Sequence, residues 1–376
     1  MMCDSGIFKV GIKCKNHYAK ANALLNEGKN ETKNRVGVSK LINNSLPKKK
    51  NAFFIEGGGT KGIYAIGVLK YLFEDNAYIN LSDVCIFGGT SVGSYLATVL
   101  SLGYKKDDLM EISKIIDMSR LIDSKYLILL TAYRFISKGY FYDDIARTDI
   151  IEKILNFKFD LIKKHLCLPY DSKAKDLTFG NLKQLIIRYP NIYKHLIINT
   201  VDISKNSQIF MTTLNDESDD IKLFDAMLAS SAIPFVFKPV IIYNDPKTNR
   251  YTYDKINNLT LNNLVDGGIS TNNPLDYFLL NDECFKEYEL WLLKFTNEPN
   301  YIKIDGTTTL LKQIVEYLIS GKNDIKMDLI HDEYQINIIN LYSSAGTFDI
   351  YTPDEIQKII ENIYNQCKSG KLYFGN

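Results

Sequence analysis

Apolar residues in this chain fall into short runs that end on glycine-rich turns, and the first two turns each lead into a segment with helical periodicity. The run Ala52-Phe53-Phe54-Ile55 suits a central strand buried on both faces. It passes into Glu56-Gly57-Gly58-Gly59-Thr60-Lys61-Gly62, after which Ile63, Ile66, Leu69, Leu72 and Phe73 recur at helical spacing. A second run, Val84-Cys85-Ile86-Phe87, leads through Gly88-Gly89-Thr90-Ser91-Val92-Gly93 into a helix from Tyr95 to Leu100 that Gly103 closes, and a further helix is expected over 106–116. Strand, glycine turn and helix, twice in succession, predict a three-layer α/β/α sandwich with a mostly parallel central sheet.

Farther along, residues 117–190 read as mainly helical or irregular, with turns at Lys138-Gly139 and Phe179-Gly180-Asn181. Strands are expected over 196–201, 208–213, 288–295 and 336–342, an extended segment over 236–243, and a helix over 224–231 stopped by Pro234. Thr352-Pro353-Asp354-Glu355 is a capping box with proline in the first turn, and Ile356, Ile359, Ile360 and Ile363 continue it as an amphipathic helix.

The first 50 residues lack this patterning. They hold 11 Lys and Arg against 3 Asp and Glu, although the whole chain of 376 residues carries a net charge of only +1. They read as a basic, poorly packed arm with at most a helical turn near Tyr18–Leu25, and Lys48-Lys49-Lys50 as a solubilising linker in preference to a lipid or nucleic-acid contact. An apolar share of 45% and a charged share of 24% are those of a globular protein and call for no nucleic-acid partner. Six scattered cysteines without a Cys-x-x-Cys pair fit reduced thiols and a cytoplasmic setting, and Cys85 reads as a small hydrophobe. No secretory signal is evident, and the apolar stretch 126–136 is far short of the ~20 residues that span a bilayer. That stretch is read as a buried helix or as a segment that dips into a lipid interface.

A serine flanked by glycines between a strand and a helix has the layout of a nucleophile elbow, with Ser91 projecting above the sheet edge and Gly89 and Gly93 permitting the sharp turn. Gly57-Gly58-Gly59, one strand–helix unit earlier, can present consecutive amides to a developing oxyanion. The same glycines formally satisfy G-x-G-x-x-G, but the next strand ends in Gly88-Gly89 where a dinucleotide site wants an acid, and Ile63 stands where a P-loop lysine belongs. Lys61 is unusual for a first helical turn; it reads as an exposed side chain without a role, or as a charge that steadies the glycine loop or meets a lipid phosphate. None of His17, His165, His195 and His331 carries a catalytic signature. Leu264-Val265-Asp266-Gly267-Gly268, by contrast, puts a carboxylate at the end of an apolar run, directly before two flexible residues. No carboxylate or histidine cluster has metal-ligand spacing.

Together, Gly57-Gly58-Gly59-Thr60-Lys61-Gly62, Gly89-Thr90-Ser91-Val92-Gly93, Ala229-Ser230-Ser231-Ala232-Ile233-Pro234 and Asp266-Gly267-Gly268 resemble, in order and spacing, the patatin-like phospholipases. Weaker echoes are Leu177-Thr178-Phe179 and Gly139-Tyr140-Phe141, and the resemblance spans about residues 51–295. The Ser-Leu-Gly-Thr-Gly-like turn common in that family is missing after Leu290-Trp291-Leu292-Leu293. The resemblance implies a patatin-like catalytic domain over 51–300, with 301–376 as an α/β extension packed on it. It implies a Ser91–Asp266 dyad, an oxyanion hole from Gly57 to Gly62, support from Gly89, Gly93, Gly267 and Gly268, and chemistry without a metal or other cofactor. Phospholipid or lysophospholipid would be the substrate, met transiently at a membrane surface by a cytoplasmic, peripheral enzyme. Two alternatives stand beside this lipid acyl hydrolase: a soluble acyl esterase or thioesterase with the same dyad, and a catalytically silent lipid-binding protein.

Overall fold

A computed structural model of the chain describes residues 10–13, 49–75, 77–116, 135, 137–248, 250–253, 259–279, 287–297, 301–320, 336–343, 345–347 and 349–369. Its strands are β1 (Val10–Lys13), β2 (Lys50–Ile55), β3 (Val84–Thr90), β4 (His195–Asp202), β5 (Ser207–Thr212), β6 (Val240–Asp245), β7 (Arg250–Thr252), β8 (Thr260–Asp266), β9 (Tyr288–Asn297) and β10 (Asn337–Ser343). The helices are α1 (Gly62–Leu72), α2 (Val92–Ser101), α3 (Lys106–Ile115), α4 (Ile145–Asn156), α5 (Phe159–Leu166), α6 (Phe179–Arg188), α7 (Leu223–Ser230), α8 (Asp276–Leu279), α9 (Thr307–Ser320) and α10 (Pro353–Lys368).

All the strands belong to one sheet. Its centre is parallel, in the order β10-β9-β2-β3-β4. Antiparallel ladders make both flanks: β1 on β10 at one edge, and β5, β8, β6 and β7 beyond β4. The parallel centre agrees with the strand–helix alternation in the sequence, and the antiparallel flanks make the whole sheet mixed. The alternation of side chains along a strand divides β2 and β9 between two apolar cores. Phe53, Ile55, Trp291 and Leu293 face the large core built with α1 to α7 and α10, whereas Ala52, Phe54, Leu290 and Leu292 face Leu275 and Phe278 at α8.

Two expected boundaries move. β3 continues through Gly88 and Gly89, because Gly88 packs under Phe54 where a Cβ would lie 2.6 Å from the ring. Phe179-Gly180-Asn181 is the first turn of α6 and not a loop, since the Thr178 hydroxyl accepts the Asn181 N–H while the Asn181 side chain accepts the Thr178 N–H. The basic arm contributes β1, while the helical turn expected near Tyr18 lies outside the described residues, as does the stretch 126–136 apart from Phe135.

Strand β4 fixes where the chemistry sits. Its residues 197–202 pair along one edge with β5, so its other partners must share the opposite edge. There β3 pairs as far as Thr90 with Asn199, and β8 takes over at once, Asp266 opposite Thr200. Two strands running toward each other thus meet end to end against β4, which brings the last residue of β8 beside the turn that follows β3.

Helices α1 and α10 cross closely at Gly67, where a Cβ would lie 2.7 Å from both the Ile360 carbonyl oxygen and Ile363 Cβ. Gly67→Ala gains ~1 kcal/mol of helix propensity, but separating two packed helices costs up to ~3 kcal/mol. The substitution is therefore expected to destabilise the fold by about 2 kcal/mol in denaturant titrations. Equal or greater stability would show that the crossing yields easily.

Candidate active site

Ser91 alone makes the turn between β3 and α2, with φ 54° and ψ −127°. A non-glycine residue held there stores on the order of 1–3 kcal/mol of strain. Its backbone is tied on both sides. The Ser91 N–H donates to Ser230 Oγ (2.9 Å), and its carbonyl accepts from the Ser94 N–H (2.9 Å) and Ser94 Oγ (2.6 Å). At roughly 1 kcal/mol each, three such bonds offset the strain. Gly89 and Gly93 admit the tight approach: a Cβ on Gly93 would stand 2.2 Å from the Ile55 oxygen, and one on Gly89 2.1 Å from the Gly93 oxygen.

Asp266 ends β8 fully buried. Its Oδ1 accepts the Gly268 N–H (2.8 Å), and Gly267 packs against the Asn199 backbone where no side chain fits. The Ser91 hydroxyl is near enough to favour the carboxylate, but no hydrogen bond of ordinary geometry joins the two, and Oδ2 is without a partner. Such contacts commonly tighten only when substrate is bound. Burial raises the Asp266 pKa to about 6, against the opposing effects of the Gly268 N–H, the Ser91 hydroxyl and the charge of Arg147.

The glycine loop lies directly beside this pair. The Gly57 N–H is taken by Asn272, whose side chain also donates to the Gly57 oxygen (2.7 Å). The N–H groups of Thr60, Lys61 and Gly62 are likewise occupied, by the oxygens of Thr347, of Gly58, and of Gly59 and Thr60. Among the described residues no acceptor takes the N–H of Gly58 or Gly59. Gly59 has φ 55° and packs so tightly on Thr347 that a Cβ would lie 2.2 Å from its oxygen. Of six candidate oxyanion donors, two therefore have their amides available. Lys61 differs from the exposed side chain weighed in the sequence: it is buried, and burial lowers its pKa against the opposing charges of Glu316, Glu56 and Asp349.

Three contributors had no place in the sequence reading, and a fourth, Ser230, stood there only as part of the Ala229-Ser230-Ser231-Ala232-Ile233-Pro234 motif. Asn272 follows Asp266 within the same turn, and Asn272-Asn273-Pro274 was the available signal. Asn199, a polar residue inside an apolar strand, donates to the oxygens of Thr271 (2.7 Å) and Gly267 (3.3 Å). Ser230 relays this strand to the elbow, donating to the Asn199 oxygen (2.7 Å) while accepting from Ser91. Arg147 is buried on α4, where it pairs with Asp144, lies 4.1 Å from the Phe237 ring centre, and donates to the Leu228 oxygen and Ser231 Oγ, both at 3.0 Å. No local sequence pattern announces it.

Neither described histidine reaches Ser91. His195 bonds Thr213 at the start of β4, four residues or roughly 13 Å along the strand from Asn199. His165 is held by Tyr189 and Tyr193 between α5 and α6, and His17 and His331 lie outside the described residues.

A cavity of about 1150 Å³, mouth included, opens beside Ser91 and Gly59. Its wall is almost wholly aliphatic, with Ile63 and Ile66 from α1, Leu96 and Val99 from α2, Leu109 and Ile112 from α3, and Ile150 and Ile154 from α4. Thr347 and Ile350 complete the rim. An apolar ligand suits such a wall better than a polar one.

A family model described as patatin-like phospholipase matches residues 53–279. An uncharacterized protein of Acanthamoeba polyphaga mimivirus is 50% identical over 354 residues, covering 90% of this chain and 95% of that protein. Triacylglycerol lipase 4 of Saccharomyces cerevisiae is 23% identical over 207 residues, 53% of this chain and 19% of the yeast protein. Among solved structures, VipD from Legionella pneumophila is similar with a TM-score of 0.48 at 16% identity, over 86% of this chain and 67% of that one.

The buried carboxyl leaves a mark on stability. Its pKa is higher in the folded state, about 6, than the ordinary 3.8, so the fold retains the proton over that interval. Below 3.8 the group is protonated folded or unfolded and costs nothing; as pH rises from 3.8 to 6 a penalty of up to ~3 kcal/mol develops, and above 6 it persists in full. Asp266→Asn, which keeps the oxygen that faces Gly268, is expected to be more stable than the wild type by about 1–3 kcal/mol at pH 7.5. That gain should vanish by about pH 4. Denaturant midpoints at both values measure it, and no gain at pH 7.5 would contradict a costly buried carboxylate.

Proposed function

The chain belongs to the patatin-like phospholipase family, and from that premise we propose that it is a lipid acyl hydrolase of phospholipase A2 or lysophospholipase type working through a Ser91–Asp266 dyad. Ser91 Oγ adds to the ester carbonyl carbon while its proton passes to Asp266. The carbonyl oxygen becomes an alkoxide and takes the N–H groups of Gly58 and Gly59. Collapse of this intermediate expels the alcohol portion of the lipid, which leaves with the proton held by Asp266. Water then attacks the acyl-serine, giving its proton to Asp266, and the fatty acid departs as Ser91 recovers its hydrogen.

The observation that carries this reading is the unpartnered Oδ2 of a fully buried Asp266, beside a serine on a strained turn. With its pKa raised to about 6, Asp266 is ionised at neutral pH and still a stronger base than an ordinary carboxylate. The aliphatic cavity excludes water from the pair and supplies a place for a fatty-acyl chain, which favours lipid over a short soluble ester.

A fluorophosphonate probe should label the wild type, and Ser91→Ala should remove both labelling and fatty-acid release. Asp266→Asn should lower release by at least about 10³-fold, the scale seen when one member of a catalytic set is lost. Lipase activity that persists in purified Ser91→Ala would overturn the assignment.

Ile112→Trp fills part of the cavity away from the dyad. Turnover of palmitoyl lysophospholipid should fall roughly tenfold or more while that of a butyryl ester stays within about twofold, since only the long chain needs the lost volume. Equal losses on both would place the acyl chain elsewhere.

A further inference from the structure

The apolar cavity must receive its ligand from somewhere, and helix α9 packs against part of its lining. One side of α9 belongs to the site: Val315 packs with Ile233 and Phe237 of the cavity wall, and Glu316 accepts the Thr347 hydroxyl (2.8 Å) at the rim. The opposite side should be polar if it met only water. Instead Leu310, Ile314 and Tyr317 are 45%, 44% and 62% exposed. Their spacing of four and three residues puts them in one stripe, roughly opposite Val315 and Glu316 at ~100° per residue. Tyr301, Ile302 and Ile304 just before the helix are also exposed, as is Ile350 at the rim.

We propose that this outward face of α9 is the surface by which the chain docks on a lipid bilayer, a step that rests on the lipid-hydrolase reading of the site beneath it. Continuity with the cavity selects the occupant. The exposed stripe belongs to a helix that packs behind Ile233 and Phe237 of the cavity lining and bonds Thr347 of the same lining, and Ile350 is both exposed and part of that lining. A bilayer meeting this face therefore adjoins the cavity, and an acyl chain passes between two apolar phases. A second copy seated on the same face would instead obstruct that approach. No described helix is long and apolar enough to cross a membrane, so α9 lies in the interfacial plane with its stripe among the acyl chains and Val315 toward the protein. Residues 301–320 fall outside the segment matched by the family model, so this surface is a feature of the chain's own extension.

The test uses the full chain and phosphatidylcholine vesicles. The triple variant Leu310→Ser, Ile314→Ser, Tyr317→Ser should float with vesicles at least about tenfold less than the wild type, because interfacial affinity scales with inserted apolar area. Its hydrolysis of phosphatidylcholine in those vesicles should fall in parallel, while its turnover of a monomeric butyryl ester stays unchanged. Unaltered butyryl-ester turnover also reports that the variant is folded. A second variant, Tyr317→Trp, should show, relative to the wild type, an added emission that shifts to the blue with vesicles, against the constant emission of buried Trp291. Flotation of the triple variant equal to that of the wild type overturns the proposal. So does a wild type that does not float but sediments as a dimer, with the triple variant monomeric. Ser91→Ala should float like the wild type; stripe-dependent flotation without any Ser91-dependent hydrolysis would keep the docking surface and remove the hydrolase reading.

Discussion

One strand edge holds the candidate site together. Because β5 occupies the other side of β4, β3 and β8 must share the remaining side, and their pairings stop at adjacent residues, Asn199 and Thr200. Ser91 and Asp266, 175 positions apart in sequence, become neighbours through that junction. Asn199 also stitches the junction with its own groups: its side chain donates to Gly267 and Thr271, and its carbonyl accepts Ser230, which in turn accepts the Ser91 N–H. Backbone ladders are stiff compared with loops, so the two elements that carry the pair hold their relation without substrate present, and only the Ser91–Asp266 contact itself is left to tighten.

That geometry is held at a cost. The elbow stores strain in Ser91, and the carboxyl of Asp266 is buried with one oxygen unbonded. Together these come to a few kcal/mol, comparable with a large part of a domain's net stability. Surrounding structure carries it: the glycine loop is clamped by Asn272 on one side and by Gly346 and Thr347 on the other, and α9 steadies Thr347 through Glu316. The segment after residue 336 therefore bears on the site, although its sequence carries none of the motifs.

Much of this was legible in the sequence, for local reasons. Ala52 to Ile55 reads as a buried strand, and the glycines at 57–59, 89 and 93 mark close approaches, to backbone at 59, 89 and 93 and to side chains first at 57 and 58. The parallel centre of the sheet follows from the strand–helix alternation. The antiparallel flanks do not, because nothing local to residues 260–266 tells which side of β4 they will join. The same gap hid Asn199, Arg147 and the role of Ser230, whose hydrogen bonds exist only after distant strands and helices have met. Lys61 illustrates the reverse case: a lysine in a first helical turn reads as exposed, yet it is buried, with Glu316 and Asp349 from the far end of the chain joining Glu56 among the charges around it. No sequence pattern separates Gly58 and Gly59 from Gly57 as amide donors, since the difference is made by Asn272.

The most direct measurement is a crystal structure of the wild-type chain after reaction with a long-chain fluorophosphonate. A preorganised dyad with a two-amide oxyanion hole predicts phosphorus bonded to Ser91 Oγ, the phosphoryl oxygen about 3 Å from the nitrogens of both Gly58 and Gly59, and the alkyl chain between α1 and α4. An adduct on another residue, or a phosphoryl oxygen turned away from those amides with the site otherwise intact, would contradict it.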